Sequence, residues 1–522
     1  MSAHRLNWMG TRPVLLGLGC ALVLIGTEPV MATEGSPLSA IDWLSDSIVE
    51  PGEDPAPQSD APVASLPSDI SVMPLDAPTP DRAGLRPAKD LNLDADLWGR
   101  SSAADLARAL VDLPDGAEAP PSVRRFLNEL LTLEFKPPID AAIDDSFFLA
   151  RIDRLLSMGQ LEKAEALLEI AGLDDAERFR RAFDIALLRG TETEACRTIE
   201  ETPDLSPTYP ARIFCLARLG EWDVAALTLG NAEALGILTP DEDALLLHFL
   251  DPELFEGKPV PEPPRQSTPL LFRLYEAVGE RIPTDQLPVA FAVTDLGSTV
   301  GWKARLRAAE RLVAADALSF EALIGVFTER KPAASGGIWE RVAALQSLLS
   351  ALETGRSKQV NNTLSAAWIA AGRGGFDTDF AEWITPQLGD YELTGPARHL
   401  AFEMALRAGR VDRAEVLASD AADDRFLLAL ATGSGSASPG TSLLNQSVLR
   451  GLVALSPGAT FEALIEDDRK GEALFRALGH LKRGAAGNPR ATQQSLALLR
   501  TLGLEELARQ VAVELILMDG AA

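Results

Sequence analysis

The 522-residue chain carries 76 Asp and Glu against 48 Lys and Arg, a net charge of −28. A surface so acidic repels nucleic acid and anionic lipid at long range, so neither is expected as a partner; it favours cationic partners or plain solubility. No segment beyond the N-terminal region holds 18 uninterrupted apolar residues, so no stable membrane insertion is expected of the processed chain.

The chain opens with Arg5 and Arg12, an apolar run from Val14 to Ile25 and the small-residue site Val30-Met31-Ala32. This predicts a signal peptide over 1–32, cleaved after Ala32, and a periplasmic protein. Cys20 falls inside the apolar run. Cleavage removes two basic residues and one acidic, moving the net charge from −28 to −29. Residues 33–96, rich in Pro, Asp, Ala and Ser, read as a disordered acidic tether, with one amphipathic piece around Trp43, Leu38–Val49.

From Leu97 onward the helical period dominates, as in Phe147–Leu156, Leu161–Ala171, Phe179–Leu188, Ala211–Leu219, Ala304–Ala315 and Leu496–Leu517. Capping or first-turn signals stand at Asp174-Asp175, Ser206-Pro207, Thr239-Pro240, Thr268-Pro269 and Thr394-Gly395-Pro396. The expected order is an N-terminal helical region over 97–255, a Pro-rich linker over 256–268, a central helical region over 269–431, a Gly/Ser loop over 432–442 and a C-terminal helical region over 443–522. The stretch 287–341 does not follow the pattern of its surroundings. The fold class is all-α.

A Gly-x-x-x-x-Ala pattern recurs at Gly159/Ala164, Gly190/Ala195, Gly220/Ala225, Gly409/Ala414 and Gly503/Ala508. Three copies add a large apolar residue two after the glycine: Leu161, Trp222 and Val411. The glycine permits a left-handed turn and the alanine a close helix–helix approach. Gly159 to Gly190 is 31 residues and Gly190 to Gly220 is 30, the length of a helical hairpin with its turns. On these residues the chain resembles the tetratricopeptide-repeat family, well over 145–250 and locally over 395–420. It lacks the family's regular proline at the end of each second helix. The resemblance implies a TPR-like α-solenoid of stacked antiparallel helical hairpins that binds a protein or peptide in a groove.

Cys196 and Cys215 are the cysteines that survive processing. They read either as a disulfide between adjacent helices or as two buried thiols. Signatures of catalysis are missing. His248, His399 and His480 are scattered and no G-x-S-x-G is present. Gly297–Lys303 has the wrong glycine spacing for a phosphate loop, and Gly433-Ser434-Gly435 is not a dinucleotide fingerprint. The carboxylate groups at Asp144-Asp145, Asp241–Asp243, Asp420–Asp424 and Asp467-Asp468 read as helix starts, where the dipole favours negative charge. Trp222 reads as a packing residue; Trp339, Trp368 and Trp383 read as buried between helices or as groove anchors. The expectation is a non-enzymatic periplasmic interaction scaffold with no cofactor and no metal. The alternative is a cell-wall-associated protein. It would resemble the helical superhelix of lytic transglycosylases without their catalytic domain, since the chain has no Glu-Ser pair.

Overall fold

A computed structural model of the chain describes residues 79–113, 119–332, 334–434, 438, 442–481 and 488–519. The signal segment, the piece around Trp43 and part of the Gly/Ser loop lie outside them. The described residues are all-α. The helices of the N-terminal half are α1 (Ala103–Val111), α2 (Pro121–Leu130), α3 (Ser146–Ser157), α4 (Leu161–Ala171), α5 (Ala176–Arg189), α6 (Thr193–Glu201), α7 (Tyr209–Leu219), α8 (Trp222–Ala234), α9 (Pro240–Leu250) and α10 (Pro269–Ala277). A 3-10 segment at Val289–Leu296 precedes α11 (Trp302–Ala314), α12 (Phe320–Thr328), α13 (Ile338–Glu353), α14 (Ser357–Gly374), α15 (Asp377–Gln387), α16 (Gly395–Arg407), α17 (Val411–Leu417) and α18 (Ala422–Thr432). The last helices are α19 (Leu443–Val453), α20 (Ala459–Glu466), α21 (Lys470–His480), α22 (Pro489–Thr501) and α23 (Glu505–Asp519).

The helix starts follow their caps. Asp175 accepts from the backbone N–H groups of Glu177 and Arg178, both at 3.0 Å, and opens α5. Thr239 and Glu242 cap α9 reciprocally, and Thr268 caps α10. At Ser206-Pro207 the signal sits early: Thr208 is the cap, and Pro210 lies in the first turn of α7. Asp145 precedes α3, and Asp241–Asp243 and Asp423-Asp424 occupy first turns, where backbone N–H groups without helical partners face them.

Most helices adjacent in sequence pack on one another, while α2 and α19 find their main neighbours elsewhere in the chain. From α5 the chain passes outward through α6, α7, α8 and α9, and α10 returns to pack on α5. The two ends of the described chain also meet. Helix α1 packs on α21, and α2 packs on α23. Trp98, 2% exposed, sits among Phe135, Phe147 and Phe475 at centroid distances of 4.8, 4.9 and 5.6 Å. The Gly471 N–H donates to the Leu97 carbonyl and the Arg100 N–H to the Asp468 carbonyl, both at 2.9 Å. A Cβ on Gly471 would lie 2.2 Å from Trp98 Cε3, so only glycine admits the indole here.

The expected tether does not extend to residue 96. Residues 79–96 belong to the packed body: Asp81, Ala83, Ala88 and Leu93 are buried, and Arg86-Pro87 pairs in parallel with Leu133-Glu134. The reason is Arg151 on α3, 1% exposed. Its guanidinium donates to the carbonyls of Asp81 (3.0 Å), Ala83 (2.8 Å) and Leu131 (2.9 and 3.1 Å), tying a Pro-rich segment down through its backbone. Burial lowers Arg151 to about 10, against the opposing pull of Asp81.

Candidate functional site

The five turn glycines all have positive φ: 75° at Gly159, 72° at Gly190, 93° at Gly220, 65° at Gly409 and 81° at Gly503. Their surroundings differ. A Cβ on Gly159 would lie 3.1 Å from Ala317, whereas nothing stands within 4 Å of one on Gly220 or Gly503. Leu161, Ala164, Ala225, Ala414 and Ala508 are fully buried, and Ala195 and Val411 are half-buried. Trp222 departs from its expected packing role. It touches Phe249 at 6.1 Å and remains 48% exposed, because α8 has neighbours on one side alone. Cys196 on α6 and Cys215 on α7 are joined in a disulfide.

Two places stand out. The first is a junction of charged groups from four distant parts of the chain. Arg124 and Arg125 come from α2, Asp316 from the turn between α11 and α12, Asp379 and Glu382 from α15, and Glu514 from α23. Arg124 Nε lies 2.6 Å from Asp316 Oδ2, and Arg125 pairs with Glu382. Glu514 accepts from the backbone N–H and hydroxyl of Ser122 at 3.0 and 2.7 Å. Beside these groups opens a cleft of about 510 Å3 lined by Arg125, Asp316, Phe320, Asp379, Glu382 and Trp383. Burial raises Asp379 to about 7, with Asp316 adding to the effect and Arg125 and Arg124 opposing it. Burial also raises Glu382 against the pull of Arg125, and Glu514 against its Ser122 hydrogen bonds. Asp316 and Glu382 are held by arginines, so the junction's chemistry is mutual neutralisation that ties α2, α11, α12 and α15 together.

The second place is the outward stretch α6–α9. Helix α8 buries Ala225, Leu229 and Ala232 and exposes Val224 (44%), Leu227 (67%) and, at its C-cap, Leu235 (70%). With Asn231, these fall at helical spacing and form one stripe about 16 Å long, at roughly 1.5 Å per residue. Glu221, Asp223 and Glu233 on the same helix are exposed and form no ion pair among the described residues.

Trp383 lines the cleft, Trp339 packs on Trp302 at 5.2 Å, and Trp368 lies beneath the Arg407 guanidinium at 5.4 Å; all three are half-buried. His248 Nδ1 lies 2.7 Å from the Ala244 carbonyl, and His399 faces Glu403 and Asp424. Among the described residues no three His, Cys, Asp or Glu side chains gather as a metal site requires, and no helix is long and apolar enough to cross a membrane. No protein-family model, curated protein or solved structure matches the chain.

Proposed function

We propose that this chain is an exported, non-enzymatic scaffold of the periplasm. In this reading its helices form an α-solenoid of stacked hairpins, similar to tetratricopeptide repeats, that holds a protein or peptide partner. The observation that carries the reading is the apolar stripe of α8. Three large side chains are left in water along one line of a helix whose opposite side already packs, and exposed apolar surface aligned in this way favours interaction. At the charged junction Asp316 and Glu382 are held by arginines and Glu514 by Ser122, which favours a structural over a catalytic role for these three. The likeness to tetratricopeptide repeats rests on the turn glycines and buried alanines.

Site-specific photo-crosslinking in native envelopes tests the reading. A benzoylphenylalanine at Leu227 should give a discrete protein adduct, and one at the exposed Ile369 of α14 should not. Equal labelling at both positions, or none at either, would remove the α8 interface. Clearing of a cell-wall gel by the purified chain would sink the non-enzymatic half of the proposal.

A further inference from the structure

We infer that the α8 stripe docks a basic amphipathic helix: an apolar face of about three turns flanked by lysine or arginine. The inference rests on the scaffold reading above and adds the partner's chemistry.

The argument begins with length. Val224, Leu227, Asn231 and Leu235 run along three turns of α8, so a short helix laid along them can match every apolar position. Charge comes next. Residues 192–262, which contain α6–α9, hold 15 Asp and Glu against 4 Lys and Arg. Two of those cations are already used, Arg218 by Glu192 and Arg197 by Glu194. Glu221 and Asp223 flank the stripe at its N-terminal end, and both are exposed. An apolar strip between unpaired carboxylates selects a partner with an apolar strip between cations.

The same charge disfavours the two occupants nearest to hand. A second copy would bring an equally acidic surface against this one, and like charges across an interface are costly. The chain's own amphipathic piece, Leu38–Val49, carries Asp42 and Asp46 and no Lys or Arg, so it has the wrong sign. The disulfide between Cys196 and Cys215 fixes α6 against α7, on which α8 packs, so the stripe is presented by a braced support.

The test uses the full processed chain and three labelled synthetic peptides of one length, followed by fluorescence anisotropy. One is an amphipathic Leu/Lys helix, the second its Leu/Glu counterpart, and the third a Leu/Lys peptide scrambled to lose its apolar face. The amphipathic basic peptide should bind at least about tenfold tighter than either control. Val224→Ser with Leu227→Ser should weaken it about tenfold while circular dichroism and melting stay unchanged, since both side chains are exposed. Equal binding of the scrambled peptide, or binding indifferent to the double substitution, overturns the inference. Concentration-dependent dimerisation abolished by the same pair overturns it too, assigning the face to a second copy. An adduct at Leu227 with a partner lacking any basic amphipathic segment would refute this inference and leave the scaffold reading standing. Absence of any adduct would remove the α8 interface, and with it both this inference and the observation on which the scaffold reading rests.

Discussion

The closure around Trp98 and the outward helices α6–α9 are built from the same kinds of residue and end in opposite states. At the closure the large apolar side chains around Trp98 are enclosed. Trp98, Phe147 and Phe475 leave almost nothing in water, and Gly471 is pressed against the indole. On α8, Trp222, Val224 and Leu227 remain exposed although the helix is just as apolar. The difference is the number of neighbours. Trp98 receives elements from both ends of the described chain, whereas α8 receives α7 and α9. An apolar residue is enclosed where distant segments converge and left in water where they do not.

The comparison breaks most sharply at the closure. Trp98→Ala should cost about 3–5 kcal/mol in urea or thermal unfolding, because the site is walled by rings that cannot all collapse inward. Gly471→Val should destabilise comparably through overpacking, and it tests the same contact from the other side.

Next in size is the disulfide. Cys196→Ser with Cys215→Ser opens a loop spanning 19 positions and should cost roughly 3 kcal/mol in the chain-entropy model. The loss should be local, seen as faster hydrogen exchange in α6–α9 with protection retained around Trp98. Uniform deprotection would mean that the outward helices are not an independently weak region.

Smaller again is a pH effect. Asp379 has a folded pKa of about 7 against an ordinary value of 3.8. Between these values the folded chain keeps a proton that the unfolded chain has released. Stability from this group is therefore fully present below about pH 4, falls as pH rises and levels off above 7. Asp379→Asn should flatten that slope by about 2 kcal/mol once solvent in the cleft is allowed for, read as the difference in urea midpoint between pH 4.5 and 7.5. Stability of the native chain that rises across this window through Asp379 would contradict the burial assigned to it.

The smallest expected effect is on α8 itself. Leu227→Ser should leave stability within about 0.5 kcal/mol of the native chain. A large loss would show that the stripe is covered within the molecule and would end the comparison.

Much of the local structure was legible from residues a few positions apart. The turn glycines stand where a helix must stop and the chain reverse, most caps stand where one must start, and the carboxylate groups fall at or beside helix starts except Asp467-Asp468, which close the last turn of α20. Trp222 matches a packing position by its spacing, but spacing does not reveal whether a second helix arrives to cover it. The packed stretch 79–96 is hidden from the sequence for a related reason. Its composition predicts disorder, and what holds it is the guanidinium of Arg151, a residue far along the chain bonding to carbonyls that leave no mark in the sequence. The charged junction had no signal at all, since Arg125, Asp316, Asp379 and Glu514 are ordinary residues until folding brings them together.

By itself the sequence determined the helical class, the places where the chain turns and the acidity of its surface, because these depend on backbone preference and charge within a few residues. The tertiary structure alone decided that the two ends of the described chain meet at Trp98 and Gly471, that α2 is bound to α15 through opposite charges, and that α8 keeps an apolar face in water. Those outcomes depend on which distant surfaces come into contact, and the free energy that selects them is shared among residues with no local pattern in common.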